Sequence, residues 1–331
     1  MKASVIGGGS WGSAFALYLG RQKFKTKLWI RERNIFEAAC QERENKAFLP
    51  GFIFPPEVTF HHYMEEALDS SELVFVAVPS QFCRKVFSQM APFLSPSQTV
   101  ISLTKGIEKK TLKRMSEVME DVFGPFSKPP VAALSGPSFS KEVAEERPTG
   151  VVLACAEPDL AKQIQHLISS LALRVYTSRD LVGVELAGAL KNVIAIAAGI
   201  SDAIQSGYNS RAALITRGLV EITRLGLKLG AKKETFYGLA GIGDLVLTCT
   251  GPLSRNRRVG IELGKGKTLS AIIAHMRMVA EGIITTQSTH ELAKREGVEM
   301  PISEQIYMIL YKNKDPHKAL TDLMSRTLRE E

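Results

Sequence analysis

The 331 residues are 45% hydrophobic and 23% charged, a balance that excludes whole-chain disorder and gives room for two domains. The net charge is +8, from 42 Lys+Arg against 34 Asp+Glu; it suits anionic ligands such as phosphates, although a generally basic surface accounts for it equally. Cys40, Cys83, Cys155 and Cys249 are scattered, with no C-x-x-C pair and no histidine at metal-ligand spacing, which argues against a disulfide framework or a metal site and for a reducing, cytoplasmic setting.

In chain order, Ala3–Ile6 reads as a strand. It stops at three glycines, far short of a secretory signal core. Gly7-Gly8-Gly9-Ser10-Trp11-Gly12 then satisfies G-x-G-x-x-G and opens a helix over Ser13–Arg21. Alone this pattern is weak, but between a first strand and a helix it marks a dinucleotide site. Gly7 permits the tight turn, Gly9 lets a pyrophosphate approach the backbone, and Gly12 lets helix and strand pack closely. The helix start adds N–H donors and a positive dipole end. Lys25–Ile30 is a second strand, running into Arg31-Glu32-Arg33. An acidic residue at such a strand end holds the ribose 2′-hydroxyl of NAD, whereas arginine suits the 2′-phosphate of NADP. Arg31 favours NADP; Glu32, one residue on, keeps NAD open, and a solvated charged loop is a further alternative. The proline-rich patch Phe48–Pro56 reads as a loop.

Leu73–Val78, Thr99–Leu103, Val131–Leu134, Gly150–Cys155 and Leu173–Tyr176 follow as apolar runs with little alternation. Such runs are strands buried on both faces, the habit of parallel sheets flanked by helices. Lys105-Gly106 closes one of them, so Lys105 points at the ligand crevice at the strand ends. Ser135-Gly136-Pro137-Ser138-Phe139-Ser140 forms a strand-to-helix turn at the same side.

From Arg179 onward the pattern turns helical. Val182–Ser206 is long and apolar, yet Glu185, Lys191, Asn192 and Asp202 make it a buried helix of a soluble protein, not a membrane span. Lys191 in this setting is either a snorkelling edge residue or a functional buried cation. Arg211–Leu229, Ile283–Arg295 and Pro301–Tyr311 are further helices. Between them lie a glycine-rich turn, Gly238–Asp244, and the loop Gly251–Asn256, where Ser254, Arg255 and Asn256 make a phosphate cradle or a solvated basic turn. Gly264-Lys265-Gly266-Lys267-Thr268 is a near miss to a P-loop, with no preceding strand. The fold class is α/β: a doubly wound sheet in an N-terminal domain, residues 1–180, and a C-terminal all-α domain, residues 181–331.

A redox dinucleotide needs a hydride partner, and reduction of a carbonyl requires a proton donor and cationic stabilisation. None of the six histidines falls in these motifs, which disfavours a histidine-based dehydrogenase, whereas Lys105, Lys191 and Arg255 stand beside structural punctuation. Gly7–Gly12, Lys105-Gly106, Ser135–Lys141, Leu190-Lys191-Asn192, Gly241-Ile242-Gly243-Asp244 and Ser254-Arg255-Asn256 together resemble the bacterial type of the NAD(P)-dependent sn-glycerol-3-phosphate dehydrogenase family, across essentially the whole chain. The resemblance implies a Rossmann domain followed by a helical domain, a homodimer, and reduction of dihydroxyacetone phosphate to the glycerol backbone of phospholipids. It makes Lys191 the proton donor. Lys105, Gly136, Ser138, Asp244, Ser254, Arg255 and Asn256 contact substrate on this basis, and Ser10, Trp11, Arg31, Lys105, Ser140, Arg255, Val279 and Glu281 contact the cofactor, NADP(H) or NAD(H). Ser140 departs from the alanine usual in the family. A lysine donor works best if burial or a nearby cation, such as Lys105, lowers its pKa, and Asp244 opposes that shift. No nucleic-acid partner is expected. The rivals are a 3-hydroxyacid or 6-phosphogluconate dehydrogenase, disfavoured by the Ser-Arg-Asn loop, and a non-catalytic dinucleotide sensor, which has no need of Lys191, Asp244 and Arg255 together.

Overall fold

The computed structural model describes residues 1–126, 128–276, 280–328 and 330. It divides into two compact units, residues 1–105 with 113–185, and residues 106–112 with 186–331.

The first unit is built on an eight-stranded sheet. Its strands are β1 (Lys2–Ile6), β2 (Lys25–Trp29), β3 (Val58–His61), β4 (Leu73–Val76), β5 (Thr99–Ser102), β6 (Val131–Ser135), β7 (Thr149–Cys155) and β8 (Leu173–Ser178). Their order is β3-β2-β1-β4-β5-β6-β7-β8, and every neighbouring pair is parallel except β6 and β7. The helices are α1 (Ser10–Arg21), α2 (Arg33–Glu42), α3 (Met64–Leu68), α4 (Ser80–Met90), α5 (Met115–Phe123), α6 (Ser140–Ala144) and α7 (Pro158–Ile168). Alternate strand residues enter two different cores. Val5 and Phe75 join one with Phe15 and Leu19 of α1, while Ile6, Val74 and Val76 join the other with Phe87 and Met119 of α4 and α5. A sheet buried on both faces has no polar side to alternate with, which is why its strands read as continuous apolar runs. Strand β3 is the one the sequence reading lacks. It has four residues, follows Pro55-Pro56 and forms the edge beside β2, too short and too polar to register as a run.

The second unit has no strand among its described residues. It comprises most of α8 (Leu181–Ala203), then α9 (Gly207–Lys228), α10 (Lys233–Phe236), a π-helical turn (Leu239–Gly243), α11 (Asp244–Thr250), α12 (Arg255–Gly264), α13 (Leu269–Ala274), α14 (Glu281–Glu296), α15 (Pro301–Lys312) and α16 (Pro316–Met324). Helix α8 is long and apolar enough to cross a membrane by composition, but most of it is buried within the protein, as a core helix is. Gly260 of α12 packs so tightly on α8 that a Cβ there would sit 2.0 Å from the Ile196 carbonyl oxygen. Glu221 of α9 is buried and accepts from the Ile302 N–H at 2.6 Å and the Ser303 N–H at 3.1 Å, capping α15 from another helix.

Candidate active site

The glycine loop of the first unit is dictated by its backbone. Gly7 has φ +122°, and a Cβ there would lie 2.6 Å from the Ala77 carbonyl oxygen. A Cβ on Gly12 would fall 1.9 Å from the Gly7 carbonyl oxygen, whereas one on Gly9 would meet nothing within 4 Å. The loop is therefore closed on two sides and open at Gly9, the cap residue of α1. A pyrophosphate fits such a cradle. Ser10 and Trp11 are the first two residues of α1, and the Trp11 Nε1 is buried without a hydrogen-bond partner. Asn45, absent from the sequence reading, donates from Nδ2 to the Gly8 carbonyl at 2.7 Å and to the Ser13 hydroxyl at 2.9 Å.

Arg31 lies two residues beyond the end of β2. Its Nε donates to the Glu32 carboxylate at 2.9 Å, and its guanidinium stands 5.9 Å from the Phe82 ring centre, a cation–π contact. The two charges that the sequence sets against each other as NADP and NAD markers are thus an ion pair. Lys105 lies three residues past β5 and donates from Nζ to the Gly136 carbonyl at 2.9 Å, with the Ser138 hydroxyl at 3.5 Å. Ser138 donates to the same carbonyl at 2.9 Å. Gly136 reaches this position with φ +142°, and a Cβ would lie 3.0 Å from Val151 Cα. Ser140 is the first residue of α6.

In the second unit, Lys191 of α8 is only 6% exposed. Its Nζ donates to Asp244 Oδ1 at 2.5 Å and to the Thr248 hydroxyl at 2.7 Å. Asp244 is 1% exposed and opens α11 directly after the π-helical turn. The sequence reading has Gly238–Asp244 as an irregular turn; the structure has a helix widened by one residue, with the Gly243 N–H on the Gly238 carbonyl at 3.2 Å. Gly241 allows it, since a Cβ there would strike the Phe236 carbonyl oxygen at 2.1 Å. Such turns often mark functional sites. Thr248 is missed by the sequence reading, although its position four residues after Asp244 puts both on one helix face. Beside Lys191, burial pushes the Cys249 thiol up to about 12, so it is no nucleophile here.

The Ser254–Asn256 loop is more tightly committed than its sequence suggests. Ser254 caps α12, its hydroxyl accepting from the Arg257 N–H at 3.2 Å. Asn256 accepts from the Gly282 N–H at 2.9 Å and donates to Asn192 Oδ1 at 2.8 Å. At most one side-chain N–H of Asn256 is left for a ligand. Arg255 is partly buried; desolvation pulls its guanidinium below the usual value and the Glu281 carboxylate pulls it back. Asp202 pairs with Arg257 at 2.6 Å and Arg211 at 2.8 Å, joining α8, α9 and α12. Val279 lies outside the described residues. Among the described residues no group of three or more His, Cys, Asp or Glu could hold a metal.

Residues 2–161 match the N-terminal part of the NAD-dependent glycerol-3-phosphate dehydrogenases and residues 180–321 match their C-terminal part. The chain is 50% identical to glycerol-3-phosphate dehydrogenase [NAD(P)+] of Syntrophobacter fumaroxidans, covering 99% of this chain and 96% of the relative. It is 51% identical to the enzyme of the same name from Koribacter versatilis, covering 98% and 97%. The crystal structure of glycerol-3-phosphate dehydrogenase from Coxiella burnetii superposes with a TM-score of 0.94 at 38% identity, covering 98% of this chain and 99% of that one.

The glycine loop makes a paired prediction. Gly12→Ala forces backbone apart and should lose both thermal stability and dinucleotide binding. Gly9→Ala adds a methyl to open space, so its melting temperature should match the parent while the dinucleotide Kd rises at least ~10-fold. An unchanged Kd in Gly9→Ala, read by fluorescence titration, would move the pyrophosphate elsewhere.

Proposed function

The chain belongs to the NAD-dependent glycerol-3-phosphate dehydrogenase family, and from that premise we propose how its own residues divide the work. It is an NAD(P)-dependent oxidoreductase that reduces dihydroxyacetone phosphate to sn-glycerol 3-phosphate. The dinucleotide supplies the hydride that adds to the ketone carbon. As the C–H bond forms the C=O π bond breaks, its electron pair moves to oxygen, that oxygen takes a proton, and the dinucleotide is left oxidised by two electrons.

Lys191 supplies the proton from Nζ. The observation that carries this reading is the buried ammonium of α8 set between Asp244 and Thr248. Carboxylate and hydroxyl accept from the ammonium and fix the position of Nζ, from which the proton would pass to the substrate oxygen. After transfer the neutral amine stays beside the Asp244 carboxylate, which favours recharging from solvent for the next cycle.

The substrate phosphate is read by the Arg255 guanidinium, in a partly buried place where a charge-assisted bond is stronger than in water. Lys105, Gly136, Ser138, Asp244, Ser254 and Asn256 complete the substrate contacts. Gly7, Gly9, Ser10, Trp11, Gly12, Arg31, Lys105, Ser140, Arg255, Val279 and Glu281 form the cofactor contacts. Asn256 and Ser254 act in part by holding the loop in shape. Arg31 gives NADP(H) the advantage, on condition that the 2′-phosphate shares Arg31 with Glu32. A homodimer belongs to the same reading, and a solution mass of one chain, 36.3 kDa, would remove it.

Lys191→Met should lower kcat about 10²–10⁴-fold, the span of general acid catalysis, with little change in dinucleotide Kd. More than half of the parental kcat would exclude Lys191 as donor. Arg255→Ala should lower kcat/KM for dihydroxyacetone phosphate roughly 10–150-fold, as loss of a charge-assisted contact does. At saturating cofactor, the slow turnover of unphosphorylated dihydroxyacetone should fall far less; equal proportional losses would show that Arg255 does not read the phosphate. Arg31→Ala should weaken NADPH by about 1–3 kcal/mol and leave NADH nearly unchanged, whereas equal losses in titrations of both cofactors would place Arg31 away from the 2′ position.

A further inference from the structure

We propose that Asn45 is a positioning residue for dinucleotide binding. Its side-chain amide fixes the Gly8–Gly9 peptide so that the Gly9 N–H points to the open side of the glycine loop. The inference rests on the reading above that this loop holds the pyrophosphate.

Three consecutive glycines form the loop, and none has a side chain with which to anchor itself. Glycine also loses more conformational freedom on ordering than any other residue. Something outside the loop must therefore hold it. Asn45 is 1% exposed and reaches the loop from a segment 37 residues away, donating to the Gly8 carbonyl at 2.7 Å. The same Nδ2 donates to the Ser13 hydroxyl at 2.9 Å, and Ser13 donates back to the Gly8 carbonyl at 3.3 Å. One carbonyl is thus gripped by two donors, which also grip each other.

The geometry of the peptide converts that grip into a direction. In a planar trans peptide the C=O and the following N–H point opposite ways. A Gly8 carbonyl turned in toward Asn45 turns the Gly9 N–H out. A Cβ at Gly9 would find no atom within 4 Å, so the backbone at this residue has room for an anion.

Asn45 is itself well held. Its Oδ1 accepts from the Phe48 N–H at 3.3 Å, and its backbone carbonyl accepts from the Leu49 N–H at 2.7 Å. The flanking Glu44 accepts from the Gly51 N–H at 2.7 Å, while the Arg43 guanidinium donates to the carbonyls of Phe54, Pro55 and Val58. The stretch that the sequence shows as a proline-rich loop is thus a strut behind the dinucleotide cradle. Asn45 touches no reacting atom, so its effect belongs to binding and not to the chemical step.

The test compares Asn45→Ala and Ser13→Ala with the parent and with Gly9→Ala, well below each melting temperature. Asn45→Ala should raise the Kd for NADH and NADPH alike, about 10- to 50-fold, since the pyrophosphate is common to both. At saturating cofactor its kcat should stay within about 2-fold and its KM for dihydroxyacetone phosphate should not move. Ser13→Ala, which removes one of the two donors and only one of the contacts that hold Asn45, should raise both Kd values about 2- to 5-fold; it decides the matter if Asn45→Ala does not fold. Merely structural damage would lower kcat through a smaller active fraction and leave Kd unchanged, and that result would overturn the proposal. If Gly9→Ala weakens binding and neither Asn45→Ala nor Ser13→Ala does, the positioning role alone fails. If Gly9→Ala has no effect either, the reading of the loop fails with it.

Discussion

The arrangement in the helical unit depends on one buried ion pair, Lys191 with Asp244. Removing two charges from water costs several kcal/mol per ion, and the pair recovers this only with good geometry and further hydrogen bonds. Both requirements are met by neighbours. Thr248 supplies the second acceptor at Lys191 and stands one helical turn from Asp244. The π-helical turn sets where α11 begins, so it sets where the Asp244 carboxylate lies. That turn needs Gly241 because only a residue without a Cβ can lie against the Phe236 backbone. A glycine with no chemistry of its own thereby sets the position of a charge. A well-packed apolar pair in the same place would be at least as stable, which makes a purely structural reason for this pair weak and a chemical one strong.

On the reading proposed above, the two units would meet their ligands with different physics. The dinucleotide end would be made of backbone: glycines that permit close approach and the N–H groups of a helix start. The substrate end is made of side chains: an ammonium, a carboxylate and a guanidinium in partly or fully buried positions. Backbone sites suit a ligand whose phosphates are shared by many enzymes. Side-chain sites suit discrimination, because each buried polar group left unpaired by a wrong substrate carries a penalty of about 1–3 kcal/mol.

What could be read from the sequence follows the same division. The glycine fingerprint was legible because its constraint is local, and the strands because burial on both faces leaves an apolar run whatever the partner. The split between a sheet unit and a helical unit was visible in the loss of those runs after Tyr176. Strand β3 escaped because four residues ending in histidine carry no periodic signal, and short helices such as α10 and α13 escaped for the same reason. Asn45 could not be found at all, since its partners lie 32 and 37 residues earlier and nothing near it differs from an ordinary polar loop. Ser254 and Asn256 were legible as polar groups in the right loop. Their shares as helix cap and inter-helix tie were not, because those depend on Asn192 and Gly282 arriving from other helices.

Adjacent residues on α8 give the substrate end its rigidity. Lys191 turns to α11 through Asp244 and Thr248, while Asn192 turns to α12 and α14 through Asn256 and Gly282. Successive side chains on a helix leave its axis about 100° apart, so two neighbours necessarily serve two different directions. The same backbone segment then fixes both the ammonium and the loop that carries Arg255. Their separation cannot drift unless α8 itself deforms, and α8 is resisted by the close contact of Gly260 with its Ile196 carbonyl and by the Asp202 ion pairs at its end. On the proposed reading, a small substrate would be held by its phosphate at one point and protonated at another, and it would need that constancy, since misplacement by about 1 Å can cost 10²-fold in rate.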